Sequence, residues 1–208
     1  MIYAIGDIHG CKDSLVELVN KIPLKQEDTL VFLGDYIDRG PDSKGVIDFL
    51  LNLSKEHEKT VFIKGNHEWM FKEFYIKRDP DSWELWEYNG ARKTLESYGD
   101  IDNIPPEHLK FIENTKIYHI EGKYFFVHGG VKPNVKIEDQ REKDMLWIRD
   151  EFIYSKAPLK GYVVVFGHTP MEEPLIQSDK IGVDTGCVYG GKLSCVRLED
   201  KKIFQVRC

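Results

Sequence analysis

Short apolar runs, each ending close to a glycine that precedes polar side chains, recur three times in the first seventy residues. The runs Ile2–Ile5, Leu30–Leu33 and Thr60–Ile63 have the length and composition of buried strands. Apolar residues at helical spacing follow the first two runs, at 15–22 and 46–53. Strands joined by helical crossovers run parallel, so the loops after these three strands should meet at one edge of a sheet.

The second half of the chain predicts hairpins rather than crossovers. Lys116–Ile120 and Lys123–Val127 flank a turn signal at 121–122, and Leu193–Leu198 with Lys202–Val206 predicts a closing hairpin. Hairpins late in the chain indicate a mixed second sheet packed against the first. We therefore expect an α/β (α+β) fold built on two sheets.

The segment between these halves has a helical pattern and is unusually aromatic. Residues 69–99 contain eight Trp, Phe and Tyr side chains, and a break at 79–82 divides them between two helices, with Ser82 placed to cap the second. We interpret 1–208 as a single domain with a helical, aromatic-rich insertion at about 69–115. The aromatic side chains should fill the core between helices; the alternative is that some cover the substrate and set specificity.

The composition excludes several classes of protein. With 29 Lys and Arg against 35 Asp and Glu, the formal net charge is −6, so the whole chain does not attract nucleic acid or anionic membrane. No apolar run approaches the roughly 18 residues of a membrane span, and the N-terminus lacks a signal peptide's basic start. We expect a cytoplasmic monomer that binds neither nucleic acid nor membrane. The four cysteines lack metal-site spacing and should be reduced, mostly buried thiols.

Side chains suited to metal binding follow the predicted strands. Four of the seven histidines stand in the first positions after a strand and a glycine, whereas His57, His108 and His119 are interpreted as surface or internally hydrogen-bonded residues. Hard oxygen ligands mixed with imidazoles suit manganese, iron or zinc. Six candidate ligands are too many for one catalytic ion and enough for two ions sharing a bridging carboxylate: Asp7, His9, Asp35, Asn66, His128 and His168.

A two-metal site of this kind suits in-line displacement at phosphorus, with a metal-bridging hydroxide as the attacking group. Arg39 and Arg149 can bind the phosphoryl oxygens, since a guanidinium matches phosphate bidentately. His67 directly follows Asn66 and can act as the general acid for the leaving group, with Asp38 orienting it. Asn66 is assigned both to the metal and to the substrate.

Five motifs resemble those of the phosphoprotein phosphatase branch of the calcineurin-like metallophosphoesterases. They are Gly6–Gly10 (GDIHG), Gly34–Gly40 (GDYIDRG), Gly65–Glu68 (GNHE), His128–Gly130 (HGG) and Gly167–Thr169 (GHT). GDxHG, GDxxDRG and GNHE together are highly specific. With Trp147–Asp150 and Asp184–Cys187 included, the chain is similar to the short bacterial and phage protein phosphatases and to the diadenosine tetraphosphate hydrolases.

The resemblance implies two sheets packed as a sandwich flanked by helices, and two metal ions that are usually manganese in bacterial members. The implied ligands are Asp7, His9 and Asp35 for the first ion and, with Asp35 as bridge, Asn66, His128 and His168 for the second. The resemblance also implies that His67 and Asp38 form the acid dyad and that Arg39 and Arg149 bind phosphate.

Several functions share this chemistry. We predict a two-metal phosphomonoesterase of the serine/threonine protein phosphatase type, which acts on phosphoserine and phosphothreonine. In a dual-specificity form it would also act on phosphotyrosine. The alternative is a hydrolase of diadenosine tetraphosphate, another nucleotide or a phosphodiester. Because the nucleotide hydrolases are usually longer, 208 residues favours the protein phosphatase. A non-catalytic binding scaffold would predict eroded ligands, and all six are present. The expected partner is a phosphorylated protein or a small phosphoester.

Overall fold

Two five-stranded sheets form the centre of the computed structural model, which describes all residues from 1 to 208. The first sheet has the spatial order β10 (Lys202–Arg207), β9 (Lys192–Arg197), β1 (Ile2–Ile5), β2 (Thr29–Phe32) and β3 (Thr60–Phe62). The second has the order β4 (Tyr118–Glu121), β5 (Tyr124–Val127), β6 (Val163–Phe166), β8 (Lys180–Gly182) and β7 (Leu175–Ile176). Both sheets are mixed, which confirms the predicted fold class.

Parallel pairing runs through the centre of each sheet. In the first sheet β1, β2 and β3 are parallel, with Ile5 opposite Phe32 and Phe32 opposite Phe62. In the second sheet β5, β6 and β8 are parallel. The loops that follow the parallel strands of a sheet therefore leave from the same edge of that sheet, as predicted for the first three.

Eight α-helices connect the strands. They are α1 (Lys12–Lys21), α2 (Ser43–Glu56), α3 (Asn66–Lys77), α4 (Pro80–Tyr88), α5 (Ala91–Tyr98), α6 (Pro106–Asn114), α7 (Glu142–Trp147) and α8 (Asp150–Ile153). Short 3-10 turns lie at Ile101–Asn103, Ile137–Asp139 and Cys187–Tyr189. None of the helices combines the length and the apolar character needed to cross a membrane.

The aromatic segment departs from the prediction in two details. It forms three helices, α3 to α5, instead of two, because the chain also breaks at Gly90, whose φ of 105° is left-handed. The cap of α4 is Asp79 rather than Ser82: the Asp79 carboxylate accepts the Ser82 N–H at 2.8 Å. Most aromatic side chains of 69–99 lie in or against the largest buried cluster, which confirms that they fill the core.

The closing hairpin lies in the first sheet and not in the second. Its strand β9 pairs antiparallel with β1, with Ala4 opposite Val196. This position covers the edge of β1 that faces away from β2, so the hydrogen-bonding groups of β1 are satisfied on both sides. Local sequence marks a hairpin but does not show which sheet edge it will cover.

Cys187 and Cys208 form a disulfide, so the expectation that all four cysteines are free thiols is wrong. The two residues are 21 positions apart, and the hairpin of β9 and β10 brings the chain end back to the turn that contains Cys187. The Cys208 N–H also donates to the carbonyl of Gly191 at 3.1 Å. Cys11 and Cys195 are free, and burial raises the pKa of Cys11 to about 11.

Candidate metal centre and phosphate site

Side chains that follow the parallel strands meet in one buried cluster centred on Asp35. Oδ2 of Asp35 lies 3.4 Å from Nε2 of His9, 3.3 Å from Nε2 of His128 and 3.9 Å from Nε2 of His67. Nε2 of His128 is 2.9 Å from Oδ1 of Asn66. Burial opposes ionisation of Asp35, but the neighbouring imidazoles outweigh it and hold the pKa of Asp35 well below its usual range.

Asp7 and His168 complete the cluster from the two sheets. The backbone N–H of His168 donates to both oxygens of Asp7, at 3.1 and 3.0 Å, across 161 positions of sequence. The rings of His128 and His168 have centroids 4.9 Å apart. Burial, followed by the charge of Asp184, raises the pKa of Asp7 well above its usual value. All six predicted ligands are therefore neighbours. By contrast, the three histidines given ordinary roles hydrogen-bond elsewhere: His57, His108 and His119.

Two sets of side chains have ligand atoms close enough to share a cation. One contains His9, Asp35 and His67, and the other contains Asp35, His128 and His168; within each set the atoms lie within 4.8 Å of one another. Asp35 belongs to both, which is the position of a bridging carboxylate. The first set differs from the expected one in a single member: it contains His67 instead of Asp7.

The hydrogen bonds of the histidines fit a metal centre. Nδ1 of His9 lies 2.8 Å from the Ile37 carbonyl and Nδ1 of His128 lies 2.7 Å from the Leu33 carbonyl. With the Nδ1 hydrogens donated to these carbonyls, the Nε2 lone pairs face Asp35, as is usual for ligating histidines. Nε2 of His168 is buried without a hydrogen-bond partner. A divalent cation would satisfy this nitrogen and offset the excess carboxylate charge.

The predicted acid dyad is assembled by side chains from three helices and a loop. Nδ1 of His67 lies 2.6 Å from Oδ2 of Asp38, and both side chains are fully buried. Asp38 also accepts from Nε1 of Trp86 at 2.8 Å and from the Thr94 hydroxyl at 2.6 Å. Burial lowers the pKa of His67, while the Asp35 and Asp38 carboxylates oppose that shift. Nε2 of His67 is buried without a hydrogen-bond partner.

Two arginines bring positive charge to the cavity that opens onto the cluster. The cavity has a volume of about 250 Å³ and is lined by Asp7, His168, Arg39 and Arg149 among others. Nη1 of Arg39 donates to Nε2 of His9 at 3.0 Å. Arg149 is exposed at the start of α8. The pKa of His168 is well below its usual value, mainly because the side chain is buried. The positive charges of His128 and then of Arg149 lower it further. The cavity is therefore suited to a phosphate.

Several site residues adopt a strained backbone conformation. A positive φ is uncommon for residues other than glycine, and such strain clusters at functional sites. Of the nine non-glycine residues with positive φ, five belong to the predicted site, with values from 46° to 72°: His9, Asp35, Asp38, Arg39 and His168. These sharp turns after the strands direct the side chains into the cluster.

Close packing explains two of the glycines that precede the functional residues. A Cβ on Gly65 would collide with Oδ1 of Asp35, and a Cβ on Gly167 would collide with Oδ1 of Asp7. Any larger residue at these two positions would push a predicted ligand out of place.

Glu68 is a site residue to which we assigned no role from the sequence. Its carboxylate accepts the backbone N–H groups of Asp35 at 3.0 Å, Tyr36 at 2.8 Å and Gly65 at 2.9 Å. It therefore fastens the loop after β2 to the loop after β3. Burial, aided by the Asp35 charge, raises the pKa of Glu68 to about 7.

Three further residues had no role in the site assigned from the sequence. Trp86 and Thr94 hold Asp38 from 48 and 56 positions away, and no local pattern signals such a contact. Asp184 lines the cavity, directly beyond β8 and Val183. Its place after a strand is the signal that could have found it. No residue of 69–99 lines the cavity.

The overall sequence agrees with this geometry. The family model for calcineurin-like phosphoesterases matches residues 1–203. The chain belongs to the calcineurin-like phosphoesterase family. It is 28% identical to the asymmetrical bis(5'-nucleosyl)-tetraphosphatase PrpE of Anoxybacillus flavithermus, over 99% of this chain and 94% of the relative. It is 30% identical to the PrpE of Oceanobacillus iheyensis, over 97% of this chain and 90% of the relative.

Solved structures agree on the fold. The crystal structure of a candidate diadenosine tetraphosphatase superposes with a TM-score of 0.75 at 26% identity, covering 99% of this chain and 92% of the other. As a member of the family, the protein is a metal-dependent phosphoesterase. The length of 208 residues, which favoured a protein phosphatase in the sequence analysis, does not set this chain apart from these three relatives, because it spans 90% or more of each.

Arg149→Ala should weaken inhibition by inorganic phosphate about tenfold, because a hydrogen-bonded charge pair to the anion is lost from a solvent-exposed position. Metal content should not change, since Arg149 belongs to neither ligand set. Phosphate inhibition constants and elemental analysis check both statements. Arg92→Ala, at an exposed arginine paired with Glu87, is the matched control. Unchanged phosphate inhibition in Arg149→Ala would remove this residue from the site.

Proposed function

We propose that this protein is a metal-dependent hydrolase of dinucleoside polyphosphates, with diadenosine tetraphosphate as the representative substrate. One observation carries the proposal: the chain retains the Asp35-centred cluster while being 28% and 30% identical, over nearly its full length, to two asymmetrical bis(5'-nucleosyl)-tetraphosphatases. This reverses the preference for a protein phosphatase that the sequence suggested.

Two divalent cations, with manganese preferred, are part of the proposal, since carboxylate, amide and imidazole ligands suit this ion. The residues that would hold them are Asp7, His9, Asp35, Asn66, His128 and His168. The shared position of Asp35 and the unpartnered Nε2 of His168 support this assignment. When bound, the cations would lower the pKa of a water molecule and neutralise charge on the attacked phosphate.

The other side chains of the site bind the phosphate and donate a proton to the leaving group. Arg39 and Arg149 bind non-bridging oxygens of the phosphate and orient it for in-line attack. As the bond from water oxygen to phosphorus forms, the bond from phosphorus to the leaving oxygen breaks, and His67 gives its Nε2 proton to that oxygen. Asp38 keeps the ring in place and stabilises its charged form. Asymmetrical cleavage of a dinucleoside tetraphosphate gives a nucleoside monophosphate and a nucleoside triphosphate.

A phosphomonoesterase acting on phosphoserine or phosphothreonine is the second candidate, and the acid dyad favours it. An alkoxide leaving group is far more basic than a nucleotide phosphate, so it depends more strongly on a general acid. His67 hydrogen-bonds to the Asp38 carboxylate. That carboxylate also accepts hydrogen bonds from Trp86 and Thr94. An acid positioned this firmly is of greater use to an ester than to an anhydride.

Substrate comparison in manganese decides between the two candidates. We expect kcat/KM for diadenosine tetraphosphate to exceed that for a phosphoserine peptide at least about tenfold, and ion-exchange chromatography to show AMP and ATP as products. Faster turnover of the peptide would reject the proposal and establish the second candidate. Bis(p-nitrophenyl) phosphate in parallel measures diesterase activity, and Asp35→Asn, prepared identically, controls for contaminating phosphatases.

A further inference from the structure

The structure points to Tyr189 as the residue that stacks on a nucleobase of the substrate. Its role would be to favour nucleotides over phosphate compounds without a base. The inference rests on the proposed function for the identity of the ligand, and it adds a specificity-determining residue that lies outside the metal centre and the acid dyad.

Tyr189 combines exposure with a position on the site. Its side chain is 64% exposed, although large aromatic side chains are usually packed. It lines the cavity of about 250 Å³ that also contains His9, His168 and both arginines. The other exposed tyrosines, Tyr88, Tyr118 and Tyr154, do not line this cavity. An aromatic face left open to solvent beside a phosphate site is a surface on which a base can stack.

The ring lies next to one of the phosphate-binding arginines. The guanidinium carbon of Arg39 is 5.6 Å from the centroid of the Tyr189 ring. A phosphate bound by Arg39 would therefore place its nucleoside within reach of the ring. The pair supplies one contact for the anionic part of a nucleotide and one for the aromatic part.

The backbone beneath the ring is held in place before any ligand binds. Tyr189 ends a 3-10 turn between two glycines of left-handed conformation, Gly186 with φ 69° and Gly190 with φ 82°. The Tyr189 N–H donates to the Gly186 carbonyl at 3.0 Å, and the Cys187–Cys208 disulfide ties the turn to the chain end. A contact surface fixed in this way loses little conformational entropy on binding.

Space for a long ligand continues past this turn. A second cavity, of about 580 Å³, is lined in part by Lys12. It shares the lining residues Arg39, Cys187 and Val188 with the cavity of about 250 Å³. The turn carrying Tyr189 therefore lies beside two neighbouring cavities. A dinucleoside polyphosphate has the length to occupy both, whereas a single phosphate group does not.

Tyr189→Ala tests the stacking role by comparing ligands with and without a base. We expect the KM for diadenosine tetraphosphate and the inhibition constant of ATP to rise about tenfold, the loss expected for one base–aromatic stack. The inhibition constant of inorganic tripolyphosphate should change less than about twofold. Tyr189→Phe keeps the ring and should behave as the unchanged protein. Tyr154→Ala, at a tyrosine 82% exposed and outside the cavity, is the matched control.

Two results would overturn the inference. An equal loss for ATP and tripolyphosphate would show that the ring acts only by holding Arg39. No change for either ligand would show that the ring contacts neither. Both inhibition constants can be measured against p-nitrophenyl phosphate hydrolysis. The stacking role is therefore tested even if diadenosine tetraphosphate is not hydrolysed, which is the separate failure of the proposed function.

Discussion

Asp35→Asn is expected to lower manganese-dependent hydrolysis at least about 1,000-fold, the largest effect of any single substitution. Asp35 is the residue common to both ligand sets, and its Oδ2 lies 3.4 and 3.3 Å from Nε2 of His9 and of His128. A neutral amide cannot bridge two cations and neutralise their charge as a carboxylate does. Losing several kcal/mol of charge stabilisation corresponds to this loss of rate.

Metal binding gives a second readout for Asp35→Asn. A ligand that binds the native state raises the unfolding temperature, so manganese should stabilise the unchanged protein and have little effect on the variant. Elemental analysis should show fewer than two ions per chain in the variant. Asp48→Asn is the matched control, at a half-exposed carboxylate of α2 that contacts Lys44 and Nε2 of His108 outside the site. More than about a tenth of the activity remaining in Asp35→Asn would mean that Asp35 is not the bridge.

His67→Asn is expected to slow hydrolysis of a phosphoserine peptide about 100- to 10,000-fold, the usual contribution of a general acid. The 2.6 Å contact from Nδ1 to Asp38 leaves Nε2 free to donate its proton to the leaving oxygen. The loss should be smaller for p-nitrophenyl phosphate, whose leaving group is weakly basic. It should also be smaller for diadenosine tetraphosphate, whose leaving group is a phosphate.

Metal content separates the two possible roles of His67. Its ring nitrogen lies in a ligand set with His9 and Asp35, so a ligand role would make the variant lose metal. An acid role predicts full metal content and a rate loss that grows with leaving-group basicity. Asp38→Asn should reproduce part of this dependence, because it removes the carboxylate that orients the His67 ring and stabilises its charged form. A rate loss equal for all three substrates would contradict the acid role.

The parallel strands explain why much of the cluster was predictable. Asp7, Asp35 and Asn66 each follow an apolar run, and the crossover connections require β1, β2 and β3 to be parallel. The five motifs then identified the family, which the match over residues 1–203 confirms. These signals are local, because a strand end and its glycine are visible within about ten residues.

The substrate was less predictable than the chemistry. The residues around the phosphorus suit esters and anhydrides alike, and chain length was a poor guide to the leaving group. Tyr189 is an example. Its proposed role depends on its ring centroid lying 5.6 Å from the guanidinium carbon of Arg39, a residue 150 positions away in the sequence. No periodicity or spacing in the sequence encodes that contact.

The sequence by itself determined the two-sheet fold class, the family and the set of polar residues that gather around Asp35. Only the tertiary structure decided how they are held: the left-handed turns at Asp35 and His168, the three N–H groups bound by Glu68, and the support of Asp38 by Trp86. It also decided the disulfide and placed the closing hairpin on the first sheet. The physical reason is that strands and turns follow from local patterns, whereas these contacts depend on how distant segments pack against one another.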